Sequence, residues 1–239
     1  MKNSFRLLII LLLSQQLSQA QMQYAGNDGT MRFFEMRDDQ GALIKTASEM
    51  GVKGSPMIQD GWAAGIIHFK NGLQFNDTVM NFSLYNNKLY IARNNRYLEL
   101  VQPAVSFTLN FRNESGTIDT HVFKNGYPGI EDHDSTCMYE VLYDGENLQL
   151  ISWEHKKVIE TFNYGSPHEK EYALVQKLYL YLPKEKKITA LSSYAVQSAK
   201  KSLPAAYADN IQSYAASHKL NGKDKNQFVD LLSYLDKNH

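Results

Sequence analysis

Val105-Ser106-Phe107-Thr108-Leu109-Asn110-Phe111-Arg112 alternates apolar and polar residues without a break. A period of two sets Val105, Phe107, Leu109 and Phe111 against a core and their neighbours toward solvent, the pattern of a half-buried strand. The alternation continues upstream toward Gly54. Met80, Phe82 and Leu84 alternate with Val79, Asn81 and Ser83, and Leu89 and Ile91 with Lys88 and Tyr90. Between these runs stand Lys70-Asn71-Gly72, Tyr85-Asn86-Asn87 and Arg93-Asn94-Asn95. Asn and Gly accept the positive φ of tight hairpins, so the stretch from Gly54 to Arg112 reads as an antiparallel meander. No long helical crossover interrupts it, which argues against a parallel sheet.

Downstream the pattern repeats. Asn113-Glu114-Ser115-Gly116 reads as a turn and Thr117 to Phe123 as the returning strand. Residues 124 to 135 are the least regular stretch, carrying Gly126, Pro128 and Gly129. Strands are expected at Met138 to Tyr143, Leu148 to Trp153 and Val158 to Asn163, with turns at Asp144-Gly145 and near His155-Lys156-Lys157. Leu174, Gln176, Leu178, Leu180 and Leu182 lie in a run that is mostly apolar on both faces, which predicts a central strand. From Ser192 the period changes to that of a helix. Tyr207, Ile211, Tyr214 and Ala215 form one stripe that Pro204 can begin, and Asn221-Gly222 ends it. Asp224 is placed to cap a second helix, with Gln227 able to return the bond and Phe228, Leu231, Leu232 and Leu235 as its buried stripe. Upstream of the meander, Met31 to Arg37 reads as a strand or a helix start, Asp38-Asp39-Gln40-Gly41 as a turn, and Ala42 to Met50 as a strand or short helix.

The first twenty residues carry an address rather than a fold. Lys2 and Arg6 precede the apolar run Leu7 to Leu13, and Ser18-Gln19-Ala20 offers the small residues of a signal-peptidase site, so cleavage is expected before Gln21. The apolar run is too short to span a bilayer, and no later segment is long and apolar enough to do so. Removing Lys2 and Arg6 leaves 23 basic residues against 25 acidic ones, with no basic surplus for a nucleic acid to exploit. Cys137 is the single cysteine, so the domain is expected to rest on its core without an internal disulfide. Its run Cys137, Tyr139, Val141, Tyr143 alternates like a strand, which reads as a packed and inert thiol. Fifteen tyrosines suit half-buried sheet positions.

The order of several short motifs resembles a family of exported proteins of unknown function widespread in the Bacteroidota. The matching residues are Gly54-Ser55-Pro56, the strand from Gly65, Asn71-Gly72, Asn81-Phe82-Ser83-Leu84-Tyr85-Asn86 and Met138-Tyr139-Glu140-Val141-Leu142-Tyr143-Asp144-Gly145. Ser198-Ala199-Lys200-Lys201-Ser202-Leu203 and Leu231-Leu232-Ser233-Tyr234-Leu235 look like that family's helical ending. The resemblance covers about residues 54 to 239. It implies a cell-envelope location and a β-rich body, and brings no catalytic or binding residues with it.

Chemistry-bearing residues concentrate in one place. Glu131, Asp132, His133 and Asp134 could offer oxygen ligands and an imidazole to calcium or a transition metal, with His121 joining them if the fold brings it near. Their spacing matches neither a calcium-binding loop nor a His-Glu-x-x-His helix, and a solvated acidic loop is the plainer reading. Gly54-Ser55-Pro56 and Gly165-Ser166-Pro167, the latter followed by His168, lack the Gly-x-Ser-x-Gly context of a serine nucleophile and read as turns. In Asp60-Gly61-Trp62 the Gly and Trp are adjacent, unlike the Gly-x-Trp that opens lipocalin-like barrels, although a barrel could still hold an apolar ligand.

Together these readings predict a signal peptide (1–20), a segment of uncertain structure (21–53), an antiparallel β domain (54–190) and a helical segment packed on it (191–239). The expected fold class is mainly β, a meander of about ten strands forming a curved sheet or barrel-like domain with a short α-helical C-terminal tail. The expected function is a non-catalytic envelope module that binds a protein or small apolar ligand, with no cofactor. The alternative is a hydrolase or metal-dependent enzyme built on Glu131 to Asp134.

Overall fold

The structure, a computed structural model, describes residues 33–35, 51–93, 96–162 and 169–238. The readings of residues 1–20, Asp38 to Gly41, Ala42 to Met50, Asn94-Asn95 and Gly165 to His168 lie outside the described residues.

The alternating runs become strands of one sheet. They are β1 (Phe33–Glu35), β2 (Val52–Lys53), β3 (Ala63–Phe69), β4 (Gln74–Ser83), β5 (Lys88–Arg93) and β6 (Arg96–Leu100). After them come β7 (Ala104–Arg112), β8 (Ile118–Lys124), β9 (Tyr139–Asp144), β10 (Gln149–Thr161), β11 (Glu169–Leu182) and β12 (Lys187–Leu191). Phe107, Leu109 and Phe111 of β7 are buried and Ser106, Thr108 and Asn110 are half-buried, as the period of two demands. Val105 alone departs, half-buried near the strand's start. Turn chemistry holds as well: Gly72 and Asn87 sit at positive φ in the two hairpins upstream.

The strands run in the order β1-β6-β5-β4-β3-β7-β8-β9-β10-β11-β12, with β2 pairing β11 off this path. This corrects the expectation of a curved, barrel-like sheet: the sheet is open, neither closed into a barrel nor strongly curled. The physical cause lies after β6. Val101-Gln102-Pro103 ends that strand, because Pro lacks a ladder donor, and β7 pairs beside β3 instead of extending past β6. Growth then proceeds outward from the β3–β7 pair in both directions, so β1 and β12 terminate the path instead of meeting. One backbone bond, from Lys156 N to Leu84 O (3.0 Å), ties the residue after β4 to β10.

Other boundaries also shift. No turn breaks His155-Lys156-Lys157; β10 runs through it and pairs continuously with β11 from Gln149↔Tyr181 to Thr161↔Glu169. The pairings are antiparallel except for the short parallel contact of β2 with β11. β11 is central only in part. Leu178 to Leu182 lie between β10 and β12, while Lys170 and Glu171 lie between β10 and β2.

The tail forms α1 (Val196–Ser202), a 3₁₀ turn (Ala205–Tyr207), α2 (Ala208–Ser217) and α3 (Lys225–Lys237). Asp224 caps α3 as expected, accepting from the backbone N–H groups of Asn226 and Gln227. Gln227 does not return a bond to Asp224; its Oε1 accepts instead from Asn221 N at 2.7 Å. Phe228, Leu231, Leu232 and Leu235 bury their stripe against Leu148, Leu150, Leu180 and Leu182 on one sheet face. Each such side chain contributes about 1.5–3 kcal/mol of transfer free energy. Asp236 pins the tail to the β9–β10 turn, accepting from Asn147 N (2.7 Å) and Glu146 N (3.1 Å). On the opposite face, Tyr127 and residues of the irregular stretch 124–138 cover Tyr139, Ile151 and Tyr179. Among the described residues no helix is long and apolar enough to cross a membrane.

The β3–β7 pair is a tight point. A Cβ on Gly65 would collide with the carbonyl oxygen of Thr108 and lie 2.6 Å from Met80 Cε. Because the first obstacle is backbone, relief requires the two strands to separate. Gly65→Ala is therefore predicted to cost about 2–4 kcal/mol, read as a lowered urea midpoint at unchanged m value. An unchanged midpoint would show that the two strands can part without cost.

Candidate functional site

The acidic loop folds, but not as a ligand set. Ile130 and His133 exchange backbone bonds (3.1 and 3.0 Å), making Glu131 and Asp132 the centre of a two-residue turn. Glu131 holds φ at 55°, in the left-handed region where glycine is the usual residue. Its carboxylate reaches away from its neighbours to Lys177 Nζ at 2.5 Å. Asp132 is exposed. Asp134 turns back on the chain, accepting from Thr136 N (2.8 Å) and Thr136 Oγ1 (2.6 Å), and these bonds hold its carboxyl below the usual carboxylate range.

His133 points inward. It is buried, shares a hydrogen bond with the Tyr139 hydroxyl (2.9 Å) and packs on Trp153 with ring centroids 4.4 Å apart. Burial pushes its imidazole below the ordinary value, which favours the neutral ring. Cys137 is half-buried in the same cluster, and burial pushes its thiol up, away from the reactive thiolate.

His121 lies on the other side of the sheet. Its Nδ1 meets Glu140 Oε1 at 2.7 Å, whereas His133 bonds to Tyr139, the residue before Glu140 on β9. Successive strand residues point to opposite faces, so the two histidines are separated by the sheet itself. The structure thus does not bring His121 together with Glu131, Asp132, His133 and Asp134. Among the described residues no group of three or more His, Cys, Asp or Glu is placed to hold a metal ion.

What His121 does join is a polar seam. Its Nε2 lies 3.2 Å from Asp119 Oδ2 and 3.0 Å from Gln59 Nε2, and Gln59 in turn donates to Asp119 (3.0 Å). Glu140 faces Ser152 across the β9–β10 pair, and Glu154 lies two residues farther along the same face of β10. Gln176, paired with Glu154, donates to Glu154 Oε1 (2.9 Å) and Ser152 Oγ (3.1 Å). The seam therefore runs from Asp119 on β8 to the exposed Gln176 on β11. Gln59 comes from the loop before β3.

Its electrostatics follow from burial and neighbours. The hydrogen bond to Glu140 raises the His121 pKa, against the opposing effect of burial and with further help from the charges of Glu140 and Asp119. Burial first, and then the charge of Glu140, pushes the Glu154 carboxyl above the usual range, while Gln176 pulls it back. Lys225 and Tyr194 of the tail segment sense the same carboxylates. Glu140, Glu154, Asp119, Gln59 and Gln176 were not among the candidates read from the sequence. A signal for Glu140 existed: it stands inside the strand run Met138 to Tyr143, where a buried face would otherwise be apolar.

Ser55 also finds a plain role. Its hydroxyl accepts from Met57 N at 3.2 Å, and its carbonyl accepts from Lys156 Nζ at 3.0 Å. Lys156 donates to the Met57 carbonyl as well, so the Gly54-Ser55-Pro56 turn is strapped to β10.

The fold and site describe an open antiparallel β protein capped by helices on one face, with a polar seam on that same face. The chain matches no protein-family model, no curated protein and no solved structure.

The seam carries a pH signature with a definite sign. His121 is raised in the folded state, so its contribution is fully present below the unfolded value near 6.5 and is lost as pH rises through the folded value. The stability difference between the natural protein and His121→Gln is predicted to be largest near pH 5.5 and to shrink by pH 9. Urea titrations across that range check it; a difference independent of pH would mean that His121 acts by packing alone.

Proposed function

We propose that the chain is an exported cell-envelope protein of the Bacteroidota type it resembles, working as a non-catalytic module that binds a protein or a small apolar ligand. One observation carries the binding reading: an apolar strip where the β4–β5 turn meets the β10–β11 arm. Tyr85 (46% exposed) packs edge-on against Tyr172 with centroids 5.3 Å apart, and Leu174 (53% exposed) stands two residues along β11 on the same face. Val158 faces Tyr172 across the hairpin. Large exposed apolar side chains grouped together are what a binding surface presents. Lys2, Arg6, the run Leu7 to Leu13 and Ser18-Gln19-Ala20 support export.

Tyr85 and Leu174 lie outside the core, so Tyr85→Ser with Leu174→Ser should move the melting temperature of the free protein by no more than about 2 °C. In a thermal-shift screen of fatty acids and lysolipids, the natural protein is expected to gain several degrees, as about 100 Kd of ligand implies. The double variant should lose most of that gain. A variant that keeps the full shift takes the strip out of the site. For the export reading, mass spectrometry of protein from the native host should find Gln21 at the N-terminus; a chain still beginning at Met1 in the cytoplasm would refute it.

A second reading, a hydrolase, is favoured by the polar seam more than by the acidic loop. Glu154, a carboxyl raised above its ordinary value by burial and then by the charge of Glu140, sits beside the His121–Glu140 pair, the kind of perturbed group an acid–base site uses. Hydrolysis of an ester or glycoside panel that disappears in Glu154→Gln would favour it over the binding module.

A further inference from the structure

β11 has a gap along one edge. Its residues 169–182 pair with β10 throughout on one side. On the other side, the parallel contact with β2 covers Lys170 and Glu171, and the ladder with β12 covers Leu178 to Leu182. Among the described residues, no strand pairs with that edge from Tyr172 to Lys177. β12 cannot extend into the gap, because after Leu191 the chain turns at Ser192, where the Ser192 and Ser193 N–H groups bond to Ser198 Oγ (3.0 and 3.2 Å). β2 cannot extend into it either. After Lys53 the chain leaves the edge, and the Ser55 and Met57 carbonyls are held by Lys156 on the neighbouring strand.

We propose that this gap is a slot for an extended polypeptide segment, added as a strand to β11 between β2 and β12. The proposal rests on the reading of the arm as a binding surface and names its partner. A strand edge offers alternating backbone N–H and C=O groups, and the ligand that satisfies such a row is another extended backbone. The slot spans residues 172–177, about 20 Å at roughly 3.3 Å per residue, enough for a short peptide. Its shape selects against a second copy of this chain. Pairing two β11 edges would drive the 14-residue β11 of the second copy into the lane that β2 and β12 already occupy. A short segment that leaves the sheet plane at both ends meets no such obstacle. The side chains flanking the slot set the pattern: Tyr172, Leu174 and Gln176 on one face, Ala173, Val175 and Lys177 on the other. Exposed Leu174 favours an apolar residue beside it.

The test uses the protein without residues 1–20 and an acetylated hexapeptide of alternating valine and threonine. A second peptide carries N-methyl groups on every residue, so that neither edge of its backbone can donate. The unmodified peptide is expected to slow amide exchange within residues 172–177 by at least about tenfold, and the N-methylated peptide to bind at least about tenfold more weakly. Leu174→Ser should weaken the unmodified peptide several-fold without altering exchange elsewhere in the sheet. If both peptides bind equally, the arm binds through side chains alone, so the apolar-strip reading stands and strand addition falls. If neither peptide binds while lysolipid still shifts the melting temperature, the slot proposal fails and the apolar-ligand reading survives. A dimer in native mass spectrometry whose 172–177 amides are protected would put a second copy in the slot and overturn the proposal.

Discussion

β9, the first half of β10 and the second half of β11 are covered on both faces, and the remainder of the molecule is arranged around that demand. Tyr179 and Leu180 are adjacent on β11 and both fully buried, one beneath Tyr127 and Tyr139, the other in the cluster containing Leu231 and Leu235. A sheet with two dry faces needs two covers. The helical tail supplies one, and the irregular stretch before β9 supplies the other. This gives the non-sheet segments their positions: Asp236 clamps the β9–β10 turn from the tail, and His133 locks the loop onto Trp153 and Tyr139 from the opposite side.

Where the covers stop, polar groups reach the sheet. The seam from Asp119 to Gln176 shares its face with the tail's apolar cluster, and its members satisfy one another: His121 bonds to Glu140, and Gln176 to Glu154 and Ser152. Such networks are stable only when their groups are paired, because an unpaired buried charge costs several kcal/mol. The bond to Glu140 raises His121 and burial raises Glu154, which couples the seam to pH. Beyond it, on the β10–β11 arm, exposed Leu174 coincides with an edge that no described strand pairs.

Individual residues show what was legible. Phe107, Leu109 and Phe111 declare their burial through the period of two, and Phe228, Leu231, Leu232 and Leu235 declare theirs through the helical period. The cap at Asp224 was equally plain, since N-capping is a contact between near neighbours. The turn expected at His155-Lys156-Lys157 failed for the converse reason. Its polar residues suggest a loop, but a strand needs only pairing partners, and β11 provides them from Val175 to Ala173.

Local pattern therefore determined which segments are strands, which are helices and where most hairpins turn, because those choices depend on neighbours within a few residues. The open path of the sheet, the separation of His121 from His133, the capture of Glu131 by Lys177 and the gap beside Tyr172 to Lys177 were decided only in three dimensions. Each depends on which strand lies beside which, and pairing across long stretches of chain is set by the summed burial of the whole sheet, which no short window of sequence contains.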